Sequence, residues 1–302
     1  MKLRALWRFR YNAPLDGGYR LGRDLGHARV ATARIGMILI RAFFTAVQRD
    51  NKLLSGLAWT HVVLAVVFLW AAPFDPRLIS GINPWVKPFK FASSIALYSF
   101  TLAYLLRFLD NRRLVKWVSR GVAASMGVEI ALITLQAARG VRSHFNQATA
   151  LDGAIFGVMG VAILFNTLLD ARLAWEFMKP QKRLRGGALW GVRLGLVLFV
   201  LGSLEGFVMV ANMGHAVGAA DGGPGLPLLN WSTQGGDLRI AHFFALHSLQ
   251  VLPLFGYWLD RSKSQSLREN ASFCVGLAAL AYACTAAVML TLALRGIPLV
   301  GM

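Results

Sequence analysis

The stretch Gly236-Asp237-Leu238-Arg239-Ile240-Ala241-His242-Phe243-Phe244-Ala245-Leu246-His247-Ser248-Leu249-Gln250 sets an arginine, two histidines and a glutamine in a segment apolar enough to cross a bilayer. A charge at the bilayer centre costs about 2.5–3.5 kcal/mol on insertion scales, so ionisable side chains at that depth mark sites. Imidazoles there offer metal or haem ligation, or activation of a nucleophile. A guanidinium offers anion binding. Asp237, just ahead of the apolar run, is expected to cap the helix, with a pocket arginine as its second partner.

Three other segments carry polar residues at helical spacing. Glu129 and Gln136 are seven apart, about 20° from alignment on a helix, and Arg139, Ser143, His144 and Asn146 follow. Glu205 and Asn212 repeat the spacing of seven. Lys87, Ser94 and Tyr98 share a face, with Lys90 close by. Arg239, Phe243, His247 and Gln250 fall within a stripe about 80° wide, flanked by His242. Lipid does not solvate such stripes, so they are expected to turn toward one another. Glu129 and Glu205 would form the floor of a shared pocket. Lys87, Lys90, Arg139 and Arg239 would line its mouth.

Several chemistries compete for that pocket. His144, His215, His242 and His247 lie on one side, and His144, His242 and His247 are the metal candidates, with Glu129 as a further ligand. His242 and His247, however, are five apart, about 140° around a helix, and cannot clamp an ion as an i, i+4 pair does. Haem would need an axial histidine, and the sequence names no cofactor. Ser143 and Ser248 are candidate nucleophiles, but no glycine-rich elbow surrounds either. Two lysines and two arginines around an apolar cavity suit a carboxylate or phosphate, on a small molecule or a lipid-like one. A protonated Glu129 or Glu205 could exchange protons. No Walker, dinucleotide-binding or zincin motif is present, which disfavours an energised pump or a soluble-type dehydrogenase.

Structural readings stand beside these. Core histidines bond across helices, and His61 is read that way. Lys87 and Lys90 can snorkel, and Trp85 and Trp231 can anchor at an interface. Asp170 and Glu176 are expected to pair with Arg172 and Lys179.

The elements that must hold these residues are membrane spans. The chain has 302 residues, 56% hydrophobic and 15% charged, with a mean hydropathy of +0.52; soluble domains run about 25% charged. Seven runs reach the length of about 20 residues that a crossing helix needs: 53–74, 91–109, 118–138, 153–174, 188–212, 239–258 and 272–294. The fold class is thus an all-α polytopic bundle, with the membrane domain over 53–302 and a basic segment over 1–52. Within that segment 30–48 reads as an amphipathic helix lying in the interface.

The net charge of +18 is not a nucleic-acid signature, because the basic residues sit in short caps between apolar runs. Of the 32 Lys and Arg, 25 fall on the side of the amino terminus and 7 on the other. This places the amino terminus in the cytoplasm and the carboxyl terminus outside. No cleavable signal peptide is expected, since eleven Lys/Arg crowd the first 52 residues. Cys274 and Cys284, ten apart on one helix, are separated by about 15 Å, too far for a disulfide. The glycine-rich stretch 213–238 reads as either a lid or a long connection.

Trp85-Val86-Lys87-Pro88-Phe89-Lys90-Phe91, Gln136-Ala137-Ala138-Arg139-Gly140 through Ser143-His144-Phe145-Asn146, and Gly236-Asp237-Leu238-Arg239 with His242-Phe243 and His247 together resemble a family of bacterial multipass membrane proteins with no known activity. The resemblance covers roughly 80–255 and implies a bacterial inner-membrane location. It brings no substrate or catalytic residue. The leading expectation is a membrane protein whose outward-facing pocket binds, and passes on, a small or amphiphilic anion, with the bilayer as its partner. An intramembrane enzyme using the histidines and Glu129, and a non-catalytic membrane subunit, are the alternatives.

Overall fold

The structure, a computed structural model, describes residues 41–301. Two units are present, Met1–Ala46 and Val47–Met302. The described part of the first, 41–46, is helical; the remainder of the expected interfacial helix, 30–40, lies outside the described residues.

Among the described residues of the second unit, seven helices are long and apolar enough to cross a membrane. They are α1 (Lys52–Ala71, extended by the 3-10 turn Ala72–Phe74), α2 (Val86–Leu106), α3 (Arg112–Arg139), α4 (Ala150–Met178), α5 (Gly186–Ala211), α6 (Leu238–Asp260) and α7 (Ala271–Leu294). The protein is an all-α integral membrane protein. A two-residue antiparallel ladder, β1 (Ala216–Val217) with β2 (Gly236–Asp237), pairs Ala216 with Asp237 and Val217 with Gly236.

Helix starts follow the polar caps. Side-chain oxygens of Asn51, Asn111, Thr149 and Asp237 accept N–H bonds from Leu54, Leu114, Asp152 and Arg239. Such caps satisfy donors that a first helical turn leaves unpaired. Crossing in turn, the helices bring the ends of α3, α5 and α7 and the starts of α4 and α6 to one face. There Phe145, Met209, Leu238 and Ala293 form a buried cluster.

The closest helix pair is α5 against α6. A Cβ on Gly191 would stand 2.3 Å from the Leu252 carbonyl, and one on Gly256 would stand 2.1 Å from that of Gly187. Small residues let membrane helices approach to this degree. Ser248 donates to the Gly195 carbonyl across the seam at 2.9 Å, so this hydroxyl serves packing.

The expected partners of Asp170 need correction. Arg172 and Lys179 both go to Glu176, at 2.9 and 2.8 Å. Residues two apart on a helix do not face each other, which turns Arg172 away from Asp170. Asp170 instead meets Tyr98 and Asn166.

Candidate functional site

At the face just described, the segments 79–91, 137–145 and 215–239 enclose a cavity of 140 Å³. Each wall has a local cause. Asn83 ties the first connection together, donating to the carbonyls of Ala72 and Asp75 at 2.9 and 2.7 Å. Pro84 then leads into α2, so that Lys87 and Lys90 fall in its first turns and line the cavity.

The second wall begins where α3 stops. Gly140 takes the left-handed conformation, φ +76°, and the Val141 N–H bonds back to the Gln136 carbonyl at 3.1 Å. This glycine stop ends the helix and sends Arg142, Ser143 and His144 into the cavity wall. Behind them Asp152, 2% exposed, accepts from Gln136 at 3.0 Å, Arg139 at 2.6 Å and Thr149 at 2.7 Å. Arg139 also donates to the Gln136 side-chain oxygen. Asn146 bridges the turn, donating to the Arg142 carbonyl and accepting the Ala148 N–H.

The third wall is the connection between α5 and α6. Asp221 gathers the backbone N–H groups of His215 and Ala216 and the His215 ring, whose Nδ1 lies 2.8 Å from its Oδ2. That bond places the ring proton on Nδ1 and leaves Nε2 as an acceptor. Gly222, φ +89°, passes so close to Ser80 that a Cβ would lie 2.9 Å from the Ser80 backbone. Lys90 donates to the Leu229 carbonyl at 3.2 Å, and Asn230 donates to the Ser80 carbonyl at 3.3 Å. Arg239, bonded to Asp237 and to the Asn230 carbonyl, completes the closure. Ser80, Phe145 and Asn230, all lining the cavity, have positive φ. Non-glycine residues hold that conformation only where their surroundings impose it.

The lining carries four cations, Lys87, Lys90, Arg142 and Arg239, against one carboxylate, Asp221. Among the described residues Lys87 makes no hydrogen bond or short ion pair; it lies 5.9 Å from the Phe91 ring and feels the charges of Glu129 and Asp221, and the exposed Arg142 side chain makes no hydrogen bond or ion pair. Burial, reinforced by the charges of Lys87 and Arg239, outweighs the pull of Asp221 and lowers the His215 pKa to about 4. Burial and Lys87 likewise lower that of His144. Burial works to raise the Asp221 carboxyl, but the bonds from His215 and Ala216 hold it well below the usual carboxylate range. Both rings are thus neutral at neutral pH, beside a charged Asp221.

Glu129, 1% exposed, lies beneath His144, its Oε1 3.4 Å from the ring Nε2, and among the described residues neither carboxylate oxygen has a closer hydrogen-bond partner. Ser143 Oγ is 3.1 Å from His144 Nδ1.

Lys87, Lys90, His144 and Arg239 therefore line one cavity, with Glu129 at the back of His144, and Gln136, Arg139, Asn146 and Asp237 buttress it. The other four nominated residues lie elsewhere. Glu205 sits against His242, Oε2 to Nδ1 3.1 Å, while His242 donates to the Gly202 carbonyl at 2.8 Å. His247 bonds the Phe243 carbonyl and tilts over the Phe243 ring at 4.1 Å. Gln250 donates to Thr101 at 3.0 Å. Among the described residues no three His, Cys, Asp or Glu side chains group as a metal site requires. Asn83, Arg142, His215, Asp221 and Asn230 join the site without having been nominated.

Comparison of the chain with protein-family models, with curated proteins and with solved structures returns no match.

Proposed function

We propose that this membrane protein binds a small anion, or the anionic headgroup of an amphiphile, in the cavity between Lys87, Arg142, His215 and Arg239, and serves its passage across the membrane. One observation carries the reading: Lys87, Lys90, Arg142 and Arg239 line the cavity against a single lining carboxylate, Asp221. The half-buried cations among them, Lys87, Lys90 and Arg239, call for further counter-charge, and a carboxylate or phosphate supplies one. Volume sharpens the ligand class. At 140 Å³ the space is well below the roughly 300–1,000 Å³ of sites for drug-sized molecules, and corresponds to about five waters at ~30 Å³ each. That suits a phosphate or a short carboxylate more than a whole lipid. By the distribution of basic residues the cavity faces away from the cytoplasm, with the amino terminus on the cytoplasmic side; the resemblance noted for the sequence makes that outer side the periplasm of a bacterial inner membrane.

The test is mass and elemental analysis of what the purified protein releases. An anion found with the wild type and lost in Lys87→Gln and Arg142→Gln supports the reading. No anion in the wild type, or equal retention by the variants, removes it. Uptake of labelled inorganic phosphate into vesicles, abolished by Glu129→Gln, would separate translocation from binding alone.

A second reading rests on the row Ser143, His144, Glu129. A neutral imidazole between a hydroxyl and a buried carboxylate is the arrangement that activates a nucleophile, and the neighbouring cations would stabilise an oxyanion. Covalent labelling of Ser143 by a fluorophosphonate, lost in His144→Ala, would select this intramembrane hydrolase over the binding protein.

A further inference from the structure

A second polar cluster lies deeper in the bundle than the cavity. Asp170 of α4 is 0% exposed. The Tyr98 hydroxyl of α2 is 2.8 Å from both carboxylate oxygens. Asn166, one turn earlier on α4, donates to Asp170 Oδ2 and to the Tyr98 oxygen, each at 2.9 Å. Ser125 of α3 lies 3.1 Å from the Asn166 oxygen. From α5 the contribution is the Phe199 ring, stacked on Tyr98 at 5.5 Å.

Tyr98 and Asp170 each lie eight residues before the last residue of their helices, Leu106 and Met178, so the cluster sits inside the spans and away from their ends. The groups facing Asp170 are thus one phenol, one amide and, behind it, one hydroxyl. Among the described residues no Lys, Arg or His pairs with it, Arg172 having gone to Glu176. A lone carboxylate at that depth must be neutralised. A metal cation would need oxygen lone pairs turned inward, whereas Tyr98 and Asn166 turn hydrogens toward the carboxylate. A proton is the neutralising ligand that this arrangement admits.

Between Asp170 and the cavity, α3 places a second buried carboxylate. Glu129 is four residues from Ser125, on the same helical face and about 6 Å further along the axis. It is buried, among the described residues both of its oxygens lack hydrogen-bond partners, and its Oε1 lies 3.4 Å from the ring of His144 in the cavity wall.

We propose that Asp170 is an intramembrane proton-binding site, reached from the cavity by way of Glu129. Asp170 takes up a proton on one carboxylate oxygen and gives it back along the same path. The assignment does not depend on what the cavity binds, since its readout is the carboxyl group itself.

Infrared difference spectroscopy of the full-length protein in lipid nanodiscs tests it. At neutral pH the wild type is expected to show the carbonyl stretch of a protonated carboxylic acid, shifted in D₂O and lost in Asp170→Asn. Asparagine keeps a similar shape and can still accept from Tyr98, so the fold is retained. In Glu129→Gln the band is expected to remain, with its exchange into D₂O slowed at least tenfold. A wild-type spectrum without the band, a band that survives Asp170→Asn, or exchange as fast in Glu129→Gln as in the wild type would overturn the proposal. If Asp170→Asn does not fold, Tyr98→Phe replaces it: loss of one hydrogen bond must move the band frequency, and an unmoved band counts against Asp170. These outcomes are independent of anion release, so failure of the anion reading leaves them standing and the reverse also holds.

Discussion

Asp237 caps the start of α6 and, with the same carboxylate, holds the side chain of Arg239. Its Oδ1 accepts the Arg239 backbone N–H at 3.0 Å and the Nε–H at 2.8 Å, and its Oδ2 accepts the Ser232 N–H at 2.7 Å. The buried carboxylate thereby aims a guanidinium at the cavity while fixing the chain that precedes it.

That pairing predicts unequal effects of conservative changes. Arg239→Lys keeps the charge but loses the planar fork; anion affinity is expected to fall about tenfold, near 1.4 kcal/mol, with little change in thermal stability. Asp237→Asn loses the charged partner and weakens the cap, and is expected to cost about 1–3 kcal/mol. Calorimetric titration with phosphate and thermal unfolding in nanodiscs measure the two separately. Equal effects on both readouts would contradict the division of labour.

Lys87→Gln and Arg142→Gln address two of the lining cations. Because neither side chain makes a hydrogen bond or short ion pair among the described residues, removal of either charge is expected to leave stability unchanged or raise it. Anion affinity is expected to drop tenfold or more for each. A loss of stability in both variants would show that the charges serve the fold instead.

The dyad His215–Asp221 makes the connection between α5 and α6 sensitive to acid. The folded-state pKa of His215 is about 4, below the ordinary 6.5, so between these values the unfolded chain binds more protons than the folded one. Stability contributed by the neutral ring is complete above about 6.5 and is lost as pH falls toward 4. Asp221, depressed in the folded state, adds stability that is present above the ordinary carboxylate pKa near 3.8 and is lost at still lower pH. Unfolding temperature is expected to decline from pH 7 to pH 5, with a shallower decline in His215→Phe. Parallel pH curves for wild type and variant would assign the slope to other groups.

Gly222→Ala probes the contact between the connection and Ser80. The glycine has φ +89°, and its Cβ would lie 2.9 Å from the Ser80 backbone, so alanine meets both backbone strain and a clash. A cost of about 1–3 kcal/mol is expected, together with faster proteolysis within 213–238. Unchanged cleavage would mean that the contact can be given up without opening the connection.

The spans were legible because length and apolarity suffice to define a crossing helix. Their ends were less so. Helix α2 begins at Val86 and not near 91, since Pro84, Lys87, Pro88 and Lys90 depress the hydropathy of a turn that is nonetheless helical. Helix α3 begins at Arg112, under the Asn111 cap, although its basic first turn resembles a loop in composition. In the site, helical spacing found Lys87, Lys90 and Arg239 because rotation about an axis can be read from residue numbers. His215, Asp221 and Asn230 belong to a connection with no such period. A signal for them existed in part: a histidine, an aspartate and adjacent glycines in a long loop are the materials of a ring–carboxylate pair and a tight turn. Asp170 was assigned to a near neighbour because Tyr98, 72 residues away, is invisible to local spacing.

The double use of Asp237 has a mechanical consequence. The segment over the cavity is held by Lys90 and Ser80 through Leu229 and Asn230, but one of its fastenings, Asp237, is also the cap of a membrane-crossing helix. Release of that fastening would uncap α6 and free Arg239 together. On the proposed function, entry of an anion would therefore be tied to the start of α6, a helix that packs glycine to backbone against α5.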